Sequence, residues 1–170
     1  NLAGTKIRNA NLKGANLTGA RLNRANLAGA DLSGVDLSEA DLGQAGMSGV
    51  NLTSANLTHV NLFWADMKGA VLKNAVVRHC RMNRVNLIGA DLTGANFSQS
   101  NMIEADLRNA NLTNARFQST NMNGADLSRA VMPGADFNLA MIRDSIWIAT
   151  DVRGASFLQA SLHRSDFTFA

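Results

Sequence analysis

The sequence predicts an all-β solenoid, a chain wound into stacked coils of square cross-section. Three observations predict it. Leu recurs at every fifth position in stretches such as NLKGANLTGARLNRANLAGADL, residues 11–32. The register holds without insertion or deletion from Asn1 to Ala170. Rarer residues recur every 20: Phe97, Phe117, Phe137 and Phe157, and Met82, Met102 and Met122. A period of five fits neither ordinary element. On an α-helix five residues turn through about 500°, so the Leu residues would wander round the cylinder. On a flat strand an odd spacing would send them to alternate faces.

Each slot of the pentapeptide has its own chemistry. All 34 positions ending in 2 or 7 are large and apolar. Two residues earlier every residue is compact, and 23 of those 34 are Ala. Side chains two apart on an extended segment point the same way, so both of these slots face inward. The slot between them faces out, and 22 of its 34 residues are Asn or Asp. The last two slots favour turn formers, and the one ending in 4 or 9 holds 12 of the 14 Gly. A pentapeptide is thus a very short extended segment followed by a bend.

Twenty residues are four such units, which makes the coil four-sided. Val71 and Val131 interrupt the Asn/Asp slot 60 apart, three times that length. Like residues at one angular position stack into ladders, which steady flat sheets. The runs ANLTG, ADLSG, ADLTG and ADLRN resemble the A(D/N)LXX signature of the pentapeptide repeat family, and the resemblance covers the whole chain. It implies a right-handed quadrilateral β-helix of about 8.5 coils, a rod about 40 Å long at the usual spacing between strands. Residues 1–170 form a single domain in this reading, with atypical C-terminal coils over 141–170 that act as a cap or an interface.

Composition bounds the rest. No apolar run is long enough to span a membrane, and no leader pattern is visible. The chain starts at Asn1 in full register, and it is expected to be a piece of a longer protein. A lone Cys80 excludes an internal disulfide and favours a reducing compartment, hence the cytoplasm. The formal net charge is +3.

Catalysis is not expected: phosphate-loop, nucleophile-elbow and zinc-helix motifs are absent. No cofactor or metal is expected either. His59 and His79, 20 apart, should stack on one face without a completing acid. Asp31, Asp36 and Asp41 fall on three different sides, so they cannot act together on one substrate. The outward Asn and Asp residues are expected to bond local backbone. Arg21, Arg24, Arg78, Arg81 and Arg84 are candidate anion contacts, with Arg84 alternatively stacked on Trp64. Phe63, Trp64, Ile88, Ile103, Met141, Ile146, Ile148, Leu158 and Phe169 are apolar residues in outward slots, and they are the candidate partner interface.

The function expected is a rigid scaffold or protein-interaction module that pairs as a homodimer through its C-terminal coils. The alternative, suggested by the family resemblance, is mimicry of duplex DNA that regulates or protects a type II topoisomerase. Net positive charge disfavours it. Direct nucleic-acid binding is not expected, because aromatic support for the basic residues stops at Phe63 and Trp64.

Overall fold

The computed structural model describes residues 1–170. Every outward Asn/Asp slot from Lys6 to Asp166 pairs in parallel with the slot 20 residues away. The coil therefore has four sides of five residues each. Side 1 carries the column Arg21, Asp41, Asn61, Arg81, Asn101, Asn121 and Met141. Side 2 carries Asn26, Gly46, Asp66, Asn86, Asp106, Asp126 and Ile146. Side 3 runs Asp31, Asn51, Val71, Asp91, Asn111, Val131, Asp151, and side 4 runs Asp36, Asn56, Val76, Asn96, Arg116, Asp136, Ser156. No side forms a continuous strand; each coil contributes one bridging residue per side, and there is no helix.

The backbone explains the repeat. Following one unit, the Asp41 N–H donates to the Ala20 carbonyl of the coil below (2.9 Å), and the Leu42 N–H to the Asn61 carbonyl above (2.8 Å). The Gly43 N–H donates to the Asp41 side chain (3.1 Å). The Gln44 N–H donates to the Phe63 carbonyl above (2.8 Å), and the Ala45 N–H closes the bend on the Leu42 carbonyl (3.0 Å). All five N–H groups are consumed, as a chain with so little regular strand requires. The outward Asn or Asp is therefore the local acceptor for the N–H two residues on. Pro133, the one Pro, stands where Val131 has removed that acceptor, and it has no N–H to satisfy.

The bend puts the residue ending in 4 or 9 at positive φ at every corner, with values from 54° at Asn9 to 72° at Gly14. That is the third position of a type II turn, where Gly carries no steric penalty. All 12 Gly of that slot are used this way; Gly43 and Gly46 are not.

The inward slots form one continuous core from Leu17 to Trp147. Each buried large side chain contributes about 1.5–3 kcal/mol before chain entropy is subtracted. Phe97, Phe117, Phe137 and Phe157 stack in single file with centroids 4.9–5.1 Å apart. Trp147 stacks on Phe167 at 5.1 Å and meets Phe137 edge-on. Compact polar residues in the small slot are satisfied. Ser145 Oγ accepts from the Trp147 indole (2.7 Å) and donates to the Ile142 carbonyl (2.8 Å). Cys80 is buried there too, and burial pushes its thiol up to about 12. The ends are less covered: Leu2 is exposed, while Leu22, one coil up, is fully buried.

Candidate interaction surfaces

The structure places the five candidate arginines on two sides. Arg21 and Arg81 lie in the side 1 column, and Arg24 and Arg84 at the corner that closes it. Arg78 lies on side 4, although it stands only three residues before Arg81 in sequence. It lines a shallow groove of about 400 Å³ with Arg116, Gln118 and Leu139. The five therefore do not form one anion contact.

Side 1 is built around an aromatic pair. Phe63 and Trp64 stack with centroids 5.7 Å apart. The Arg81 guanidinium sits 4.8 Å from the Phe63 ring centre, and that of Arg84 5.8 Å from Trp64. Arg84 also donates from Nε to Glu104 (2.7 Å), so its charge is paired. Arg24 donates to an amide instead, Gln44 Oε1 at 2.9 Å, and has no carboxylate partner. Counting each corner with the side it closes, side 1 holds six Arg against Asp41, Glu104 and Asp144. Sides 3 and 4 have no such excess, and side 3 has Lys13–Asp31, Lys73–Asp91 and Arg153–Asp151 in contact.

These pairs set the side 3 carboxylates. Asp31 is held below the usual range by hydrogen bonds from Ser33, then by Lys13. Asp91 is lowered although partial burial opposes it, because Thr93 and Lys73 bond it. Asp151 falls to about 2, chiefly through the Arg153 side chain.

The apolar candidates are scattered. Trp64 is exposed, but Phe63, Ile88 and Ile103 are half-buried, because their slot packs against the same slot of adjacent coils. Met141 lies on side 1, Ile146, Ile148 and Phe169 on side 2, and Leu158 on side 4. Leu158 and Phe169 are the most exposed, at 69% and 88%. Leu139, 55% exposed on the corner of side 4, escaped the sequence reading. So did Glu104 and a notch at Gly43. The signal for the notch was present: Gly43 is one of two Gly outside the corner slot.

His59 and His79 stack at 4.9 Å, and no group of three or more His, Cys, Asp or Glu comes together to hold a metal. No helix is long and apolar enough to cross a membrane.

The pentapeptide repeat model matches eight copies, in segments that together run from residue 1 to 146. The chain belongs to the pentapeptide repeat family. Its right-handed quadrilateral β-helix is the architecture described above. HetL from the cyanobacterium Nostoc sp. strain PCC 7120 is 27% identical with a TM-score of 0.55, over 95% of this chain and 84% of HetL. Full-length QnrB1, a plasmid-mediated fluoroquinolone resistance protein, is 18% identical with a TM-score of 0.55, over 93% of this chain and 91% of its own. At that identity the likeness concerns the fold alone. No curated protein matches the chain significantly.

Proposed function

We propose that this pentapeptide repeat chain is a non-catalytic, rigid interaction module that holds outward side chains at fixed spacing for protein partners. The observation that carries this reading is the use of all five N–H groups of a unit within the molecule. Recognition then falls to side chains in the outward slots. Several of the largest are apolar and exposed: Trp64, Met141, Ile146, Ile148, Leu158 and Phe169. The likeness to HetL, a protein involved in heterocyst differentiation regulation, supports a binding role over chemistry.

The C-terminal coils, 141–170, are the proposed self-association end. Ile146 and Ile148 share one unit of side 2, and Met141 lies on the adjoining side of the same coil. Sedimentation velocity over a range of concentrations tests this. A dimer that dissociates on dilution, and that Ile148→Glu abolishes, is expected. A monomer at every concentration contradicts self-association.

Mimicry of duplex DNA toward a type II topoisomerase is the weaker reading. The rod shape supports it, but the six arginines of side 1 oppose entry into a cationic groove. A gyrase supercoiling assay that responds to micromolar protein would reverse this ranking.

A further inference from the structure

We infer that side 1 is a docking site for an acidic protein segment carrying an aromatic residue, whose ring enters the notch at Gly43. The inference rests on the interaction-module reading and names its partner by chemistry.

The notch is open, about 410 Å³, and lies where Gly43 supplies no side chain between Asn23 below and Phe63 above. Nothing in the backbone demands Gly at 43, because its φ is not in the left-handed region. The equivalent slot holds Thr at 53, 58, 93 and 113, each donating to its own Asn or Asp oxygen. A Cβ at 43 would press on Asn61 Nδ2 at 3.1 Å and Asp41 Oδ1 at 3.2 Å, so the floor is tight as well as bare. Phe63 forms one wall and Arg24 the rim. Asp41 Oδ1 accepts from Asn61 and Gly43, and Oδ2 has no partner inside the protein. The site therefore offers an aromatic wall at Phe63, a cation at Arg24 and a free carboxylate acceptor at Asp41. A tyrosine or tryptophan beside acidic residues matches all three: its ring on Phe63, its O–H or N–H on Asp41, and a neighbouring carboxylate on Arg24.

Two further features mark this strip, where two cations share one Asn/Asp column; elsewhere that slot holds single cations, Lys6 on side 2 and Arg116 on side 4. Arg21 and Arg81 occupy the Asn/Asp slot, where neither can accept the N–H of Asn23 or Asn83. The sequence gives up two local hydrogen bonds to place two cations, the kind of local inconsistency expected at functional sites. Moreover, the one buried side-chain oxygen in the molecule without a partner, Asn83 Oδ1, lies in the same column, one coil above Phe63. Arg21, Arg24 and Arg81 have no carboxylate partner, whereas Arg84 and Arg164 are paired to Glu104 and Asp144. The free cations flank the notch. A nucleic acid fits less well, because Asp41 would face its phosphates.

The probe is a fluorescein-labelled random copolymer of glutamate and tyrosine, followed by anisotropy at low salt. Polyglutamate and a single-stranded oligothymidylate are the comparisons. The copolymer is expected to bind about tenfold tighter than polyglutamate, the gain of one well-placed side chain. Gly43→Thr, which copies the neighbouring units, should erase that gain and leave polyglutamate binding unchanged. Arg21→Asn and Arg81→Asn should weaken both polymers while the circular dichroism spectrum stays the same. Equal binding of the two polymers, or indifference to Gly43→Thr, overturns the notch. Tighter binding of the oligothymidylate overturns the choice of a protein partner. Both results are independent of the sedimentation test, so this inference can fail while the interaction-module reading stands.

Discussion

Side 1 and side 3 share one backbone, one register and one core, yet they present opposite surfaces. On side 3 the charges answer each other: Lys13 meets Asp31 and Lys73 meets Asp91 across coils, and Arg153 folds onto Asp151 of its own unit. On side 1 Arg21, Arg24 and Arg81 meet no carboxylate. The difference comes from substitutions in the three outward slots and costs the coil nothing in register. A solenoid of this kind separates the residues that build it from the residues that specialise it.

If the two sides differ only outside, their cores must be equivalent. Leu62 lies under side 1 and Leu92 under side 3, and both are fully buried. Leu62→Ala and Leu92→Ala should each cost about 2–5 kcal/mol in chemical denaturation, the usual range for a buried truncation. Leu2→Ala, at the exposed end, should cost less than about 1 kcal/mol, since little of its surface leaves water. A large gap between Leu62 and Leu92 would show that the sides differ in backbone support as well.

The Asn/Asp slot comes next. Asp91 accepts the Thr93 N–H at 3.1 Å, the Thr93 hydroxyl at 2.6 Å and the Lys73 ammonium at 3.0 Å. Asp91→Ala should therefore cost about 1–3 kcal/mol, through a local donor left without an acceptor. Asp91→Asn should recover most of it, because the amide oxygen can still accept.

Acid should remove the contribution of the bonded carboxylates, three of which lie on side 3 and one, Asp144, on side 1. The folded state lowers Asp31, Asp91 and Asp151, the last to about 2, by bonds to the ionised form. Their contribution is complete above the unfolded carboxylate value of about 3.9 and is lost as pH falls through the depressed folded values. Urea midpoints measured from neutral pH downward should stay level and then drop below about pH 4. Asp91→Asn should flatten that drop. The smallest effect belongs to the exposed ion pair itself: Lys73→Ala should shift stability by less than about 1 kcal/mol.

Much of this was legible in the sequence. Fivefold spacing fixed which residues face in, and the 20-residue recurrence of Phe97 to Phe157 fixed the four-sided coil. The stacking of His59 on His79 and the burial of Cys80 followed from slot and column alone. Side-chain reach did not follow. The register places Glu104 above Arg84 and Asn101 above Arg81, but it does not show that the Arg84 guanidinium reaches both Glu104 and the Trp64 ring. The apolar C-terminal residues looked like one patch in sequence because they are close along the chain. A coil of four sides instead distributes Met141, Ile148 and Leu158 over three of them. Pro133 became intelligible only once the acceptor for each outward N–H was known.

The central claim is that side 1 keeps arginines in a slot where the fold prefers Asn or Asp, so those cations serve recognition and not stability. The double variant Arg21→Asn, Arg81→Asn tests it most directly, by its urea midpoint. Two restored local hydrogen bonds, at about 0.5–1.5 kcal/mol each, should add about 1–3 kcal/mol against about 0.5–1 kcal/mol lost with the Arg81 contact on Phe63, so the midpoint should rise. A midpoint lower than that of the parent chain would mean that the arginines hold the coil together, and would contradict the claim.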